Sequence, residues 1–385
     1  MTPTGQHRIM LMANAPWCKT GYGVQAGHLA PRLRDLGHDM AVFAFYGLAG
    51  GMLSWDGINV YPQGVDMWGA DILGAHMKHF KADILITLVD VWVTDWFGKK
   101  AQAEGYSWYP WLPIDQEPAP ERVIERLEGC AMALPYARFG ERMLHEAGVT
   151  NTCYIPHAVD TGTFKPGDRA AARRVLGLPE DKFIVGIVAA NKGYPSRKCL
   201  PEQLEAFAQF HRRKPDSLLY LHTLPVYHDG IDVPAICDQL GISDAVSWTP
   251  SYSYIMGLSE ERMATLYQAF DVLSEASMGE GFGIPLIEAQ ACGIPVITTD
   301  ATSMTELMFS GVLVRDGQRF WTPLNAWAFI PSIPAIADGY EYLYEQTRDE
   351  RGRNRLCEQA VEGAQAYDWD RVVADYWQPF LESIL

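Results

Sequence analysis

Glu280 and Glu288 bracket the stretch Gly281-Phe282-Gly283-Ile284-Pro285-Leu286-Ile287. Glycines let backbone N–H groups approach an anion, and a helix starting there turns its positive end toward it. A carboxylate on that helix can accept hydrogen bonds from vicinal hydroxyls such as those of a ribose. A lone loop of this kind is equally a tight βαβ turn with two solvated acids. A second cluster, Asn191-Lys192-Gly193-Tyr194-Pro195-Ser196-Arg197-Lys198, puts three cations in one loop. Fixed cations neutralise a diphosphate and stabilise the charge that grows on it as a sugar–oxygen bond breaks. The plain alternative is a solvated charge cluster, and no structural partner for these cations is evident in the sequence. A third segment, Lys19-Thr20-Gly21-Tyr22-Gly23-Val24-Gln25, offers Gly21 and Gly23 for close approach to phosphate at a helix start. Asp115, within Trp108–Pro118, and Asp90, after Ile84–Val89, are acids near strand ends in the first half, where turn capping is the competing role. Trp92, Trp96, Trp108 and Trp111 suit either stacking on an acceptor or core packing.

These segments need a scaffold of alternating strands and helices. In the first half the apolar runs Arg8–Ala13, Met40–Phe45, Asp83–Val89, Trp108–Pro113, Cys130–Leu134 and Thr152–Ile155 read as strands. Val24–Leu36 reads as a helix that Pro31 kinks or restarts. In the second half Phe183–Ala189, Leu218–His222, Val246–Trp248, Asp271–Ser274, Pro295–Thr298 and Gly311–Val314 read as strands. The basic loop then follows Phe183–Ala189 and the glycine loop follows Asp271–Ser274, both at carboxyl ends of strands, where open α/β sheets bind ligands. Ile155-Pro156-His157-Ala158-Val159-Asp160 marks the junction of two domains. The predicted division is 1–160, 161–367 and an aromatic C-terminal helix over 368–385. Asp368-Trp369-Asp370 opens that helix and reads as capping rather than as a metal site.

The string Ser277–Ala289 with its Glu-x7-Glu pattern, followed by Ala291-Cys292-Gly293-Ile294-Pro295-Val296-Ile297, resembles the donor-site signature of glycosyltransferase family 4, the glycosyl transferases group 1. The basic loop is similar to that family's Arg-x5-Lys motif, with Lys192 in the arginine position and Lys198 in the lysine position. Gly21-Tyr22-Gly23 is similar to its first glycine loop, with Tyr22 in place of a glycine. His157 and Asp160 match the family's junction motif, which is structural. The resemblance implies the GT-B fold, two doubly wound Rossmann-like domains facing a central cleft. It implies a retaining, metal-independent transfer of a hexose from a UDP- or GDP-sugar such as UDP-glucose to a hydroxyl acceptor. Glu288 would hold the ribose and Lys192, Arg197 and Lys198 the diphosphate. Glu280 and the backbone of Gly281, Phe282, Gly283 and Ile284 would hold the sugar. Asp115 stands nearest to where relatives carry a donor-contacting histidine. No cofactor beyond the nucleotide-sugar co-substrate is expected.

Composition narrows the remaining classes. The chain has 385 residues, 48% apolar, enough for two cores. A net charge of −16, from 31 basic and 47 acidic residues, argues against a protein coated in DNA or anionic lipid. The seven scattered cysteines form no CxxC pair and suggest reduced thiols. No leader-like segment precedes Ile9-Met10-Leu11-Met12 and no run reaches membrane-spanning length, so a cytoplasmic protein without a transmembrane segment is expected. The acceptor stays open among a glycan, a small molecule and a hydroxymethylated base in DNA, as does the oligomeric state. A nicotinamide dehydrogenase lacks its Gly-x-Gly-x-x-Gly fingerprint after the first strand. A non-catalytic nucleotide-sugar-binding protein would keep the same motifs.

Overall fold

A computed structural model describes residues 6–384, which divide into two compact units. The first takes the chain up to Ala158, Pro323–Ala326 and the residues from Trp369 onward. The second takes Val159–Thr322 and Trp327–Asp368.

The first unit is built on a seven-stranded sheet. Its strands are β1 (Arg8–Asn14), β2 (Asp39–Tyr46), β3 (Leu53–Trp55), β4 (Ile58–Tyr61), β5 (Ile84–Leu88), β6 (Ser107–Leu112) and β7 (Leu134–Pro135). They lie in the order β3-β4-β2-β1-β5-β6-β7, parallel except for the β3–β4 pair. β1 and β5 are apolar and buried almost end to end, as strands covered on both faces must be. The helix Gly21–Asp35 runs through Pro31 without a break, contrary to the expected kink. Gln25, Ala26, Leu29, Ala30 and Leu33 are buried on both sides of that proline, and their packing outweighs one missing hydrogen bond. β3 and β4 were not legible because Leu53–Trp55 is mostly exposed and three residues long. Thr152–Ile155 is not a strand. It makes one bridge, Thr152 to Ala133, before Pro156 ends the pairing.

The second unit holds a six-stranded, wholly parallel sheet of β8 (Phe183–Val188), β9 (Ser217–His222), β10 (Val246–Trp248), β11 (Val272–Glu275), β12 (Val296–Thr299) and β13 (Gly311–Val314). The order is β10-β9-β8-β11-β12-β13. A hairpin absent from the sequence reading, β14 (Gly317–Trp321) and β15 (Trp327–Pro331), follows. Its neighbours are loop residues: the Phe329 N–H donates to the Met278 carbonyl at 2.9 Å. Phe207, Phe210, Phe183 and Tyr340 fill the core on one face.

In both sheets the strands stay parallel at the middle but the order of their connections reverses. In the first unit the switch lies between β1 and β5, and in the second between β8 and β11. A crevice opens at the carboxyl ends of strands at such a point, because successive connections leave in opposite directions. The C-terminal segment is three pieces rather than one helix: Trp369–Val372, a π-helical turn over Val373–Trp377, and Gln378–Ser383. Trp377 packs against Trp111 with centroids 5.0 Å apart, within the first unit. Asp368 accepts from the Thr161 hydroxyl at 2.6 Å, and Asp370 pairs with Arg32 at 3.3 Å. Among the described residues no helix is long and apolar enough to cross a membrane.

The head of β11 is pinned by charge. Asp271 is buried, pairs with Arg169 and with Arg173 at 2.6 Å, and accepts from the Ile184 N–H at 2.7 Å. Removing one side of a buried pair leaves the other charge uncompensated, at a cost of about 3–5 kcal/mol. Asp271→Ala is therefore expected to lower the second unit's stability by about that amount in urea denaturation; a change under ~1 kcal/mol would show that the pair contributes nothing net.

Candidate active site

The second unit's switch point brings the basic loop, after β8, beside the glycine loop, after β11. Lys198 Nζ lies 2.7 Å from Glu275 Oε1 and 2.9 Å from Glu280 Oε1. Arg197 Nη1 lies 2.9 Å from the same Glu280 oxygen and donates to the Gly279 carbonyl. The expectation that the basic loop lacks structural partners is thus corrected. Lys198 is a bridge between two carboxylates, with side-chain exposures of 14% for Lys198, 1% for Glu275 and 8% for Glu280.

The backbone explains why these groups meet. The Met278 N–H donates to the Arg197 carbonyl at 2.8 Å, joining the two loops directly. The buried Gln203 amide donates to the Lys198 carbonyl at 2.7 Å and accepts from Ser274 Oγ at 2.6 Å. Cys199 adopts φ +46 between them and is buried against Met278 and Ala328 of the hairpin. On the other side, Thr302 Oγ1 accepts from the Glu280 N–H at 3.0 Å. Ser303 Oγ lies 2.8 Å from both the Glu280 and Phe282 carbonyls. Gly283, at φ +99, turns the chain into the helix Ile284–Ala291. Leu286 Cδ1 would stand 3.1 Å from a side chain added there.

Burial and charge set the three acids apart. Burial pushes Glu280 up, but Arg197 and Lys198 outweigh it and hold the carboxyl well below the usual range. Burial lifts Glu275 to about 7, against the pull of Lys198 and with help from Glu280. Burial lifts Glu288 to about 7 although the Tyr267 hydroxyl donates to it at 2.6 Å. Burial opposes the charge on Lys198, yet Glu275 and Glu280 prevail and its pKa is raised, so the ammonium stays charged.

The remaining predicted residues lie outside this cluster of ion pairs. Lys192 is exposed, 5.9 Å above the Tyr227 ring, and among the described residues makes no ion pair with Glu275 or Glu280. Phe282 is buried against Tyr367, ring centroids 5.6 Å apart. Gly281 and Ile284 flank it, half-buried, at the helix start. In the first unit, Gly21 opens its helix with Thr20 as the cap, and a side chain on Gly23 would meet the Cys18 carbonyl at 2.3 Å. Tyr22 spans that unit's own switch point, donating to Asp90 at 2.9 Å. Asp115 is half-buried in the loop after β6. Trp108 and Trp111 are core residues, while Trp92 is 39% exposed. His157 is buried, 3.0 Å from Gln25 Oε1, and burial lowers its pKa to about 3.

Residues 168–351 match the model of the glycosyl transferases group 1 family. That stretch is just under half of the chain. The segment holds Lys198, Glu275, Glu280 and Glu288. A D-inositol 3-phosphate glycosyltransferase of Stackebrandtia nassauensis is 27% identical over 63% of this chain and 51% of its own length. Another D-inositol 3-phosphate glycosyltransferase, from Segniliparus rotundus, is 33% identical over 48% of this chain and 39% of its own. The chain thus spans about half, or less, of the curated relatives it matches. Among solved structures, sucrose-phosphate synthase from Thermosynechococcus elongatus aligns over 98% of both chains at TM-score 0.77 and 18% identity. Anabaena HepE in complex with UDP and glucose aligns over 98% of this chain and 100% of its own at TM-score 0.73 and 16% identity. The fold class is therefore that of the GT-B glycosyltransferases.

Glu288 offers a test through stability. Its folded pKa, about 7, lies above the ordinary glutamate value. Between those values the folded state holds a proton that the unfolded state has lost, so stability falls as pH rises through that window. Glu288→Gln removes this term. It is expected to melt with the wild type at pH 5 and above it at pH 8; a constant gap at both pH values would contradict the burial assignment.

Proposed function

We propose that the chain is a retaining glycosyltransferase that moves a hexose from a nucleotide-diphosphate sugar to a hydroxyl acceptor without a metal ion. The observation that carries this reading is the convergence of Arg197, Lys198 and Glu280 at the N-terminus of the helix Ile284–Ala291, beside the β8–β11 switch point. A sugar diphosphate needs positive charge on its phosphates and hydrogen-bond acceptors for its hydroxyls, and this arrangement supplies both. Arg197, Lys198 and the helix terminus receive the diphosphate. Glu280, kept ionised, accepts from sugar hydroxyls, and Glu288 accepts from the ribose diol. Lys192, exposed and on a loop, joins the diphosphate from its rim.

The chemistry follows from that placement. The bond between the anomeric carbon and the diphosphate oxygen breaks as the acceptor oxygen bonds to the same face of that carbon. The departing phosphate takes the acceptor's proton. Negative charge grows on the leaving diphosphate, so cations already fixed by Glu280 and Glu275 stabilise the transition state without reorganising. Because the D-inositol 3-phosphate enzymes match only part of their length, their acceptor is not carried over. Anabaena HepE has been solved with UDP-glucose, which makes this donor the first to test.

Cleavage of UDP-glucose, measured with and without an acceptor panel in excess EDTA, is the direct experiment. The wild type is expected to remain active. Arg197→Ala, which leaves Lys198 on Glu280, is expected to lose roughly a hundred- to a thousandfold in turnover, about 2.7–4 kcal/mol, with a smaller loss of melting temperature than Lys198→Ala. Lys198→Ala is expected to lose stability as well as rate, since it leaves two buried carboxylates facing each other. Activity restored only by added manganese or magnesium, or normal turnover in Arg197→Ala, would overturn this reading.

A further inference from the structure

Glu275 is the acid that the motif does not include. It ends β11, its side chain is 1% exposed, and one oxygen takes the Lys198 ammonium at 2.7 Å. Its other oxygen, Oε2, is buried and has no hydrogen-bond partner among the described residues. A buried carboxylate oxygen left without a donor is costly when ionised and less costly when protonated.

The charges around it nearly cancel as they stand. Lys198 and Arg197 face it from the basic loop and Glu280 from the glycine loop. Glu288 and Tyr267 act on it from their helices, and Tyr254 acts on Lys198 from the helix Ser251–Met256. Counting Lys198 itself, the cluster holds two cations, Lys198 and Arg197, and two carboxylates, Glu275 and Glu280. A nucleotide sugar adds two negative charges from a diphosphate that does not itself titrate near neutrality. Lys198 has three donors but a single charge, so it cannot neutralise both carboxylates and the diphosphate, and of the two carboxylates Glu280 has a second cation in ion-pair contact while Glu275 has Lys198 alone.

We propose that Glu275 is a positioning residue for Lys198: it seats the ammonium beside Glu280, and it takes up a proton from solvent when a donor's diphosphate draws that ammonium toward itself. This rests on the donor-site reading above. The proton comes from water or buffer onto a Glu275 oxygen, and one Lys198 hydrogen bond passes from that carboxylate to a phosphate oxygen. No other bond changes. The carboxyl, already lifted to about 7 by burial, is poised for this exchange. Donor binding is then tied to proton uptake, a link that a purely structural glutamate would not produce.

Titration calorimetry of the full chain with UDP-glucose at pH 7.5, in two buffers of different ionisation enthalpy, counts the protons. The wild type is expected to take up a fraction of one proton, and its affinity to fall by up to about tenfold per pH unit above pH 7. Relative to the wild type, Glu275→Gln is expected to lose that uptake and its share of the pH dependence, while Glu288, which also sits near 7 and meets the ribose, keeps its own exchange in both proteins. Equal proton counts for the wild type and Glu275→Gln would overturn the proposal and leave the donor site standing. No binding of UDP-glucose at any pH would overturn the donor-site reading and this proposal with it. Should Glu275→Gln fail to fold, the count for Glu288→Gln, in which Glu275 is the remaining carboxyl of the site near 7, decides alone: no uptake there overturns the proposal.

Discussion

A buried ammonium shared by two carboxylates governs the second unit. Lys198 is charged in a place that disfavours charge, and it is tolerable there only because Glu275 and Glu280 stand within 3 Å. Glu280 is tolerable in turn because Arg197 approaches from the more exposed side. The loops bearing these groups follow different strands and are far apart in sequence, so their ion pairs also close the switch point. Gln203, Thr302 and Ser303 hold the backbone on either flank, and the hairpin β14–β15 backs Met278. The cost of burying the cluster falls on the fold, and the return is a set of charges that need no rearrangement when an anion arrives.

The first unit meets the same topological demand by a different route. Its crossover at β1 and β5 is spanned by a neutral–acid contact, Tyr22 to Asp90, where the second unit uses cations. Gly23 has to be glycine because the Cys18 carbonyl occupies the space of a side chain. Gln25 then reaches the chain at the junction, donating to the Ala158 carbonyl at 2.8 Å and accepting from the Ala158 N–H at 3.2 Å. A glycine loop similar to a phosphate-binding one can thus be required by backbone crowding alone.

Much of this was readable from sequence where the signal was local. The parallel strands appear as continuous apolar runs, and the glycine loop and basic loop fall at strand ends as their spacing suggested. Three kinds of feature were hidden. Glu275 sits directly after Val272-Leu273-Ser274, and only its burial distinguishes it from a solvated acid at a strand end. Gln203 and Thr302 act through single hydrogen bonds whose partners are distant in the chain. Lys192 and Lys198 look equivalent in the loop, yet one stands over Tyr227 in solvent and the other is nearly enclosed. Tertiary pairing decides between two lysines six residues apart, and local composition carries no trace of it.

Where a nucleotide diphosphate binds decides what this cluster of charges does. A crystal structure of the chain with UDP is the most direct measurement. The diphosphate is expected within hydrogen-bond distance of Lys198 Nζ and the Arg197 guanidinium, at the start of the helix Ile284–Ala291, with the ribose hydroxyls on Glu288. A nucleotide seated elsewhere, with Lys198 still enclosed by Glu275 and Glu280, would contradict it.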